Sequence, residues 1–172
     1  TVLVTGAGGS IGSELCRQIA SYRPESLVLF ERYENSLHAL LLELRATFPA
    51  VGVLPIIGDV TVPERVAEVF RQTGPDLVFH AAAHKHVPLM ELNPKEAVRN
   101  NVLGTRIVAE AALAAGVDRF VLISTDKAVN PTSVMGVTKR IAEQVIQGFN
   151  HRGRTRYSVV RFGNVLGSNG SV

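Results

Sequence analysis

The sequence has a single cysteine, Cys16, among 172 residues, and no apolar run long enough to cross a bilayer. One cysteine excludes an internal disulfide, which suits a reducing compartment, and its position on a predicted helix favours a small buried side chain. The segment Thr1 to Thr5 is already strand-like, so we expect no signal peptide or anchor within these residues. The prediction is a cytoplasmic chain, either free or the cytoplasmic portion of a membrane-anchored protein.

The sequence also lacks a strong charge of either sign. Its 18 Lys and Arg residues and 15 Asp and Glu residues give a formal net charge of +3, and the basic residues are scattered rather than interleaved with aromatics. We therefore expect no nucleic-acid partner and only a modest attraction to anionic phosphates. The length fits one domain over residues 1–172 that can bury a sizeable core.

Hydrophobic periodicity divides the chain into short β-branched runs, which predict strands, and longer amphipathic stretches, which predict helices. Gly116 is the predicted left-handed cap of the fourth helix, and Val87 to Pro94, with two prolines, is a predicted loop. Strands separated by helices pair in parallel through right-handed crossovers, so the prediction is an α/β fold with a doubly wound parallel sheet of the Rossmann type. The predicted strands are Val2–Thr5, Ser26–Phe30, Val53–Ile57, Leu77–His80, Phe120–Ser124 and Ser158–Phe162, and the predicted helices are Ser10–Ser21, Ser36–Thr47, Pro63–Gln72, Pro94–Ala115 and Val134–His151.

Three glycines follow the first predicted strand. Gly6 permits a tight turn, Gly9 lets backbone N–H groups approach a pyrophosphate, and Gly12 allows the next helix to pack closely. The positive N-terminus of that helix, which carries Ser10 and Ile11, would then face the phosphates. A glycine motif alone is weak, but a strand before it and a helix after it make it a specific sign of a dinucleotide site.

Glu31 lies at the end of the second predicted strand, about twenty residues after the glycine turn, where an acidic side chain binds the adenosine ribose hydroxyls. Its charge repels a 2′-phosphate, which favours NAD. Arg32 could instead bind that phosphate, so NADP stays an alternative.

The Gly-x-x-Gly-x-x-Gly spacing resembles that of the extended short-chain dehydrogenases/reductases, and further motifs agree with this resemblance. Asp59 and Val60, after the third strand, resemble the pair that holds adenine. Ala81 and Ala82, after the fourth strand, resemble the small-residue turn beside the cofactor ribose and nicotinamide. Asn101 resembles the structural asparagine of the family, which bonds the backbone of the fourth strand.

Three neighbouring histidines, His80, His84 and His86, raise the question of a metal. No cysteine or second acidic cluster completes a ligand set, and the histidines straddle a strand end and a loop, so we expect no metal site. His84, Lys85 and His86 are instead candidates for contacts with the sugar or its diphosphate, with plain solvation as the alternative.

The segment from Ser124 to Lys139 carries the catalytic candidates. In the short-chain dehydrogenase/reductase family, a Ser or Thr ending the fifth strand and a Tyr-x-x-x-Lys on the next helix form the catalytic set, and here Thr125 and Lys139 match it. The tyrosine position holds Met135, whose thioether cannot serve as a general base. Three explanations are open: an inactive cofactor-binding module, an engineered variant, or a branch whose chemistry works without the tyrosine.

Asp126 and Lys127 favour the third explanation, because they occupy the positions where sugar-nucleotide 4,6-dehydratases carry their acid and base. The run, together with residues 80–91 and 161–172, resembles the polysaccharide-biosynthesis branch of UDP-N-acetylglucosamine 4,6-dehydratases, some members of which have methionine for the tyrosine. The resemblance implies tightly held NAD, a UDP-sugar substrate and a redox-neutral cycle. In that cycle hydride leaves C4, water is lost across C5 and C6, and hydride returns to C6; a homo-oligomer is compatible with it.

The resemblance also implies a role for each catalytic candidate. Lys127 would remove the C5 proton and so must be partly neutral, while Asp126 would protonate the departing C6 hydroxyl and so needs a raised pKa. Thr125 would hydrogen-bond the C4 oxygen, and Lys139 would bind the nicotinamide ribose and favour ionisation of the C4 hydroxyl. A solvated turn pair is the alternative for Asp126 and Lys127.

Residues 161–168 resemble the strand that leads into the family's substrate domain, with Asn164 placed to touch the sugar diphosphate. Because the family continues with a small domain that clamps the nucleotide, we expect residues 1–172 to be an NAD(P)-binding Rossmann domain truncated before it, with the substrate domain largely missing. The predicted function is a nucleotide-sugar 4,6-dehydratase of polysaccharide or glycan biosynthesis. The alternatives are a C4 epimerase or reductase, each of which would use the missing tyrosine, and an NAD-binding fragment without turnover.

Overall fold

Strands and helices alternate along the chain in the computed structural model, which describes residues 1–165. Most ends fall within two residues of their predicted positions. The strands are β1 (Val2–Thr5), β2 (Ser26–Glu31), β3 (Gly52–Ile57), β4 (Leu77–His80), β5 (Arg119–Thr125) and β6 (Arg156–Phe162). The helices are α1 (Ser10–Ser21), α2 (Glu34–Thr47), α3 (Pro63–Thr73), α4 (Val87–Leu92), α5 (Pro94–Val98), α6 (Thr105–Ala114) and α7 (Val134–Phe149), with a π-helical segment at Arg99–Gly104 and a 3₁₀ turn at Asp126–Ala128.

The six strands of the described residues form one sheet in the order β3-β2-β1-β4-β5-β6, and every neighbouring pair is parallel. The chain builds outward from β1 to β3, then crosses to the other side of β1 and builds outward from β4 to β6. Sheets of this kind bind ligands outside the carboxyl ends of the strands, where the order reverses. The doubly wound parallel sheet is therefore confirmed, and it brings the predicted site segments to one edge.

Both faces of the sheet are covered, which explains why the strands read as nearly continuous apolar runs. Leu3 and Val28 belong to a core shared with α3, α6 and α7, whereas Val4 belongs to a second core shared with α1 and α2. Cys16 lies fully buried in the second core, as predicted, and burial raises the pKa of its thiol to about 12. Within residues 1–165 no helix combines the length and apolar character needed to span a bilayer.

The connection after β4 corrects the sequence analysis, because Val87–Leu92 is a short helix, α4, and not a loop. Pro88 stands in its first turn, where the fixed φ of proline favours the start of a helix. Met90 then points inward and packs with Ala97 and Met135. The two prolines of this segment therefore stand at the starts of helices. The presence of two prolines does not by itself distinguish helix starts from a loop.

The predicted helix from Pro94 to Ala115 is also corrected, because a π-helical segment separates α5 from α6. Asn100 and Asn101 lie in that segment and are buried, and the side chain of Asn101 bonds residues outside it. Such widened turns inside helices frequently occur at functional sites. Gly116, with a φ of +70°, follows α6 in the left-handed conformation that was predicted.

Candidate active site

Glycine shapes the turn between β1 and α1. Gly6 has a φ of +66°, and a Cβ atom there would lie 2.6 Å from the backbone nitrogen of Ala82. A Cβ atom at Gly12 would lie 2.0 Å from the carbonyl oxygen of Gly6, so a side chain would push α1 away from the turn. Gly9, at the N-cap of α1, places no side chain before the helix N-terminus. The tight turn and the close packing are thus present, and phosphate binding stays a prediction.

Backbone N–H groups hold the carboxylate of Glu31 in place. It accepts hydrogen bonds from the N–H groups of Gly8 at 3.0 Å, Arg32 at 2.9 Å and Tyr33 at 3.0 Å. A Cβ atom at Gly8 would lie 2.1 Å from the hydroxyl oxygen of Ser36, so this further glycine, which the sequence analysis did not single out, lets the turn approach the start of α2. Glu31 therefore presents a fixed negative charge at the edge of the sheet.

Asp59 and Arg32 approach one another beside Glu31. The Asp59 carboxylate accepts a hydrogen bond from the N–H group of Thr61 at 2.8 Å and lies 3.9 Å from the Arg32 guanidinium. Burial raises the pKa of Asp59, but the hydrogen bond from the Thr61 N–H group and the positive charge of Arg32 outweigh burial and leave the pKa below its usual value. Val60, the other predicted adenine contact, is buried in the core. Arg32 is accordingly already close to a carboxylate.

A buried histidine anchors the turn after β4. His80 Nδ1 lies 2.7 Å from Thr5 Oγ1, and His80 Nε2 lies 3.0 Å from Thr105 Oγ1. Burial, aided by the charge of Lys139, lowers the pKa of His80 to about 3, so the ring is neutral. The Thr105 hydroxyl donates to the carbonyl of Asn101 at 2.7 Å. Its oxygen therefore accepts from His80, which makes Nε2 the donor nitrogen and Nδ1 the acceptor.

Two adjoining clefts lie along this edge of the sheet. The first, called here the β2-side cleft, has a volume of about 540 Å³ and includes Gly6, Glu31, Asp59, Val60 and Ala82 in its lining. The second, the β5-side cleft, has a volume of about 590 Å³ and is lined by the start of α1 and the ends of β5 and β6. The residues that line both clefts are Gly9, Ala81, Ala83, His84 and His86. The β5-side cleft also includes the predicted site residues Ser10, Ile11, Gly12, Lys85, Thr125, Lys127, Met135, Lys139 and Asn164.

Thr125, Asp126 and Lys127 form the end of β5 and the 3₁₀ turn that follows it. The Thr125 hydroxyl donates to Asp126 Oδ1 at 2.9 Å and accepts from the N–H group of Lys127 at 3.3 Å. Lys127 Nζ lies 3.6 Å from Asp126 Oδ1 and donates to Asn164 Oδ1 at 3.0 Å. The candidate acid and base are therefore adjacent and in contact. Of the segment 161–168, which resembles the strand leading into the substrate domain, residues 166–168 lie outside the described residues.

The expected raised pKa of Asp126 is not found. Its side chain is 58% exposed, and it does not line either cleft although Thr125 and Lys127 do. The hydrogen bond from Thr125, together with the charge of Lys127, lowers the pKa of its carboxyl. An exposed carboxylate beside an ammonium group stays ionised, because both water and the neighbour favour the charged form. The expected role needs burial or neighbours that keep the carboxyl protonated, and this arrangement provides neither.

Lys139 is buried beneath the β5-side cleft, and its Nζ donates to the carbonyl oxygen of Ile123 at 2.6 Å. Burial lowers the pKa of Lys139 to about 8, against the opposing charge of Glu143. Met135, one turn earlier on α7, is only 4% exposed and packs against α4 while also lining the cleft. An apolar side chain therefore fills the position of the family's tyrosine.

The loop after β4 is tied to α7 through Asn101. This side chain accepts from the N–H group of His84 at 2.8 Å and donates to the His84 carbonyl at 3.0 Å and to the Thr138 hydroxyl at 3.1 Å. The predicted backbone contact is therefore made, but to the loop that follows the fourth strand rather than to the strand itself. Lys85 and His86 follow directly, and both line the β5-side cleft.

The three histidines of this region have separate surroundings. His80 is enclosed in the core, while His84 and His86 lie in the loop that borders the clefts, and burial lowers the pKa of His84. Among residues 1–165 no group of three or more His, Cys, Asp or Glu side chains is arranged to hold a metal ion.

Residues 2–172 match the family model described as polysaccharide biosynthesis protein. The chain belongs to this family. It is 56% identical to the capsular polysaccharide biosynthesis protein CapD of Staphylococcus aureus, over 100% of this chain and 29% of that protein. It is 36% identical to the UDP-N-acetylglucosamine 4,6-dehydratase (inverting) of Campylobacter jejuni, over 99% of this chain and 51% of that enzyme.

Solved structures share the fold of this chain. The structure of MoeE5 in complex with UDP-glucose and NAD superposes with a TM-score of 0.76 at 29% identity, over 93% of this chain and 52% of that one. The chain thus spans about half the length of MoeE5 and of the dehydratase, and less than a third of CapD.

Two acidic residues that support the β5-side cleft were missed in the sequence. Glu91 Oε1 accepts from the N–H group of Val134, the first residue of α7, at 2.7 Å. Glu143 is fully buried and pairs with Arg161. The signal for Glu143 was available, because a charge one turn after Lys139 falls on the same helix face. Glu91 carries no local signal, since its partner is 43 residues away.

Proposed function

We propose that this chain is the dinucleotide-binding and catalytic core of a nucleotide-sugar 4,6-dehydratase, which converts UDP-N-acetylglucosamine to a UDP-4-keto-6-deoxy sugar in polysaccharide biosynthesis. The observation that carries the proposal is the contact between Asp126 and Lys127, 3.6 Å apart, beside a cleft whose tyrosine position holds Met135. An acid and a base suffice to eliminate water, whereas a thioether cannot transfer the tyrosine's proton. The similarity to the Campylobacter jejuni dehydratase supports this reaction.

NAD fits the two adjoining clefts. In the β2-side cleft, the turn without side chains and the fixed carboxylate of Glu31 suit an adenosine ribose, and Asp59 suits the adenine amino group. Between the clefts, the N-terminus of α1 suits the phosphates. We assign Lys139 to the nicotinamide ribose, as the family resemblance implies. Glu31 would repel a 2′-phosphate, and Arg32 is already 3.9 Å from Asp59, so we propose NAD rather than NADP. The NAD complex of MoeE5 supports this assignment.

The residues of the β5-side cleft divide the chemistry among them. When bound, NAD would accept hydride from C4 of the hexose and return it to C6. Thr125 would hydrogen-bond the C4 oxygen, and the positive charge of Lys139 would stabilise that oxygen as its proton passes to solvent. Lys127 would then remove the C5 proton, which the adjacent C4 ketone makes acidic, and Asp126 would protonate the C6 hydroxyl so that it departs as water. As hydride returns to C6, the protonated Lys127 would return a proton to C5.

Asp126 needs a proton for this role, and its lowered pKa in an exposed turn opposes that. We infer that the bound sugar covers the turn, because burial raises the pKa of a carboxyl. Lys85, His86 and Asn164 border the same cleft and are the proposed contacts to the sugar diphosphate. The uridine contacts are proposed to come largely from sequence that the relatives have outside the matched region.

Product analysis on the intact enzyme tests the proposal. UDP-N-acetylglucosamine should yield a product lighter by one water, with a C4 carbonyl and a C6 methyl group in its NMR spectrum and no net change in NAD. A product of equal mass with inverted C4 would instead identify an epimerase, and net consumption of the nicotinamide would identify a reductase. The 172-residue chain alone should bind NAD without turnover; efficient dehydration by it would contradict the proposed source of the uridine contacts.

A further inference from the structure

Glu143 is a buried carboxylate to which the proposed chemistry gives no part. It lies on α7, one turn after Lys139, and its side chain is 1% exposed. A carboxylate withdrawn from water destabilises the fold unless it is paired and hydrogen-bonded. The partners of Glu143 therefore indicate why a charge is kept at this position.

Two neighbouring elements donate to this carboxylate. Glu143 Oε1 accepts from the Ser124 hydroxyl at 2.6 Å and from Arg161 Nε at 2.8 Å. Its Oε2 accepts from Arg161 Nη2 at 2.5 Å and from Arg140 Nη1 at 3.4 Å. Burial raises the pKa of Glu143, but the bonds from Arg161 and Ser124 lower it below its usual value, so the charge is retained. The bidentate arginine pair is a geometrically specific contact.

The two main donors lie side by side on adjacent strands. Ser124 of β5 is the register partner of Arg161 of β6. Ser124 lines the β5-side cleft, and Arg161 stands directly before the segment of β6 and its loop that lines it. Beyond them Lys127 Nζ bonds Asn164 Oδ1 at 3.0 Å. Glu143 thus links the side chains of Ser124 and Arg161, just before the contact between Lys127 and Asn164.

The same carboxylate acts on Lys139. Burial lowers the pKa of Lys139 to about 8, and the charge of Glu143 opposes this effect. The other titratable or charged groups around the pair are His80 on β4, Arg140 on α7 and Arg161 on β6. His80 is neutral and the arginines are positive, so among these groups Glu143 alone favours the ammonium form of Lys139.

We propose that Glu143 is a positioning residue of the active site, which fixes the ends of β5 and β6 through Ser124 and Arg161 and supplies the negative charge one turn from Lys139. The inference rests on the proposed function only in taking Lys127 and Lys139 as working residues. It assigns Glu143 no contact with substrate or cofactor.

Glu143→Gln in the intact enzyme tests the inference, with Glu110→Gln as the matched control. Glu110→Gln removes one negative charge in the same way, but from an exposed ion pair between Glu110 and Arg106 on α6. In Glu143→Gln we expect the titration midpoint of Lys139, followed by NMR of ¹³C-labelled lysine, to fall below the wild-type value of about 8. The basic limb of the kcat profile should move to lower pH, and kcat should fall about 10-fold or more. Glu110→Gln should change none of these. A folded Glu143→Gln protein with the wild-type midpoint and kcat would overturn the inference.

Two further variants cover the case in which Glu143→Gln does not fold, since it replaces a buried carboxylate by an amide, which is a weaker partner for the exposed Arg161. Ser124→Ala removes one hydrogen bond and keeps the ion pair, so kcat should fall several-fold while the midpoint of Lys139 stays unchanged. An unchanged kcat in Ser124→Ala would overturn the positioning role. Glu143→Asp keeps the charge and should retain the midpoint but not the full kcat. The midpoint is independent of the product formed, so a protein that makes no 4-keto-6-deoxy sugar yet shows the expected midpoints contradicts the proposed function alone.

Discussion

The two clefts of this chain are built in different ways. The β2-side cleft is formed mainly by backbone groups. Its glycine turn packs closely against neighbouring elements, and backbone N–H groups hold the carboxylate of Glu31. In the β5-side cleft, buried side chains from distant parts of the sequence hold the loops. His80 and Thr5 are 75 residues apart, and Asn101 and Thr138 are 37 residues apart. Substitutions in the β2-side cleft should therefore change the stability of the fold and the binding of NAD. Substitutions in the β5-side cleft should instead change kcat and its dependence on pH.

The largest effect is expected from the candidate acid and base of the β5-side cleft. Asp126→Asn and Lys127→Ala should each lower kcat on the order of 10²-fold or more, the usual contribution of a positioned acid or base. The dissociation constant of NAD should change little, because neither residue lines the β2-side cleft or is among the proposed NAD contacts of the β5-side cleft. Met135→Leu, which preserves volume, should keep most of the activity. Steady-state kinetics checks all three, and a loss in Met135→Leu as large as in Lys127→Ala would contradict the division of roles.

A steric change in the β2-side cleft should act on stability and NAD binding instead. Gly6→Ala places a Cβ atom 2.6 Å from the backbone nitrogen of Ala82 at a residue whose φ is +66°. The expected cost is about 1–3 kcal/mol of unfolding free energy, with weaker NAD binding. Gly148→Ala on α7 is the control, because no atom lies within 4 Å of its Cβ position. Alanine there should stabilise the helix by about 0.5–1 kcal/mol. Denaturant titration compares the two, and equal effects would be incompatible with a steric origin.

The relative affinities for NAD and NADP test the proposed role of the Glu31 carboxylate at the edge of the sheet. NAD should bind more tightly than NADP to the wild-type chain, because the carboxylate of Glu31 repels a 2′-phosphate. Glu31→Gln should narrow the preference by about 10-fold, mainly through better binding of NADP. Titration of both cofactors by calorimetry gives the ratio. Equal or tighter NADP binding by the wild type would show that Arg32, and not Glu31, determines the cofactor preference.

The smallest expected effect concerns the buried histidine. The pKa of His80 is lowered from 6.5 to about 3, so between these values the unfolded chain binds more protons and stability rises with pH. The stabilisation is complete above pH 6.5 and is lost as the pH falls. Between pH 6.5 and 5.5 the wild type should lose about 1 kcal/mol through this group.

Because carboxylates also titrate in acid, the comparison is made with His80→Gln, which should lack this part of the pH dependence. His38→Gln, on the exposed face of α2, controls for the loss of one histidine. Parallel stability curves for the wild type and His80→Gln would show that His80 is not the source of the effect.

The same contrast between the clefts explains what the sequence could predict. The order of strands and helices, the glycine turn and Glu31 are marked by local patterns, and the structure places them as expected. Helix α4 and the π-helical segment were missed because Met90 and Asn101 are positioned by partners on other elements. The pKa of Asp126 was expected in the wrong direction, since it depends on burial that spacing along the chain cannot reveal.

The proposed reaction depends most directly on the separate roles of Lys127 and Asp126, which substrate exchange in heavy water resolves. With Asp126→Asn in the intact enzyme, we expect deuterium at C5 of the sugar without formation of the dehydrated product. With Lys127→Ala, we expect neither exchange at C5 nor product, because no base removes the C5 proton. Product formation by Lys127→Ala at the wild-type rate, with deuterium at C5, would contradict the account and leave Lys127 a solvated residue of the turn.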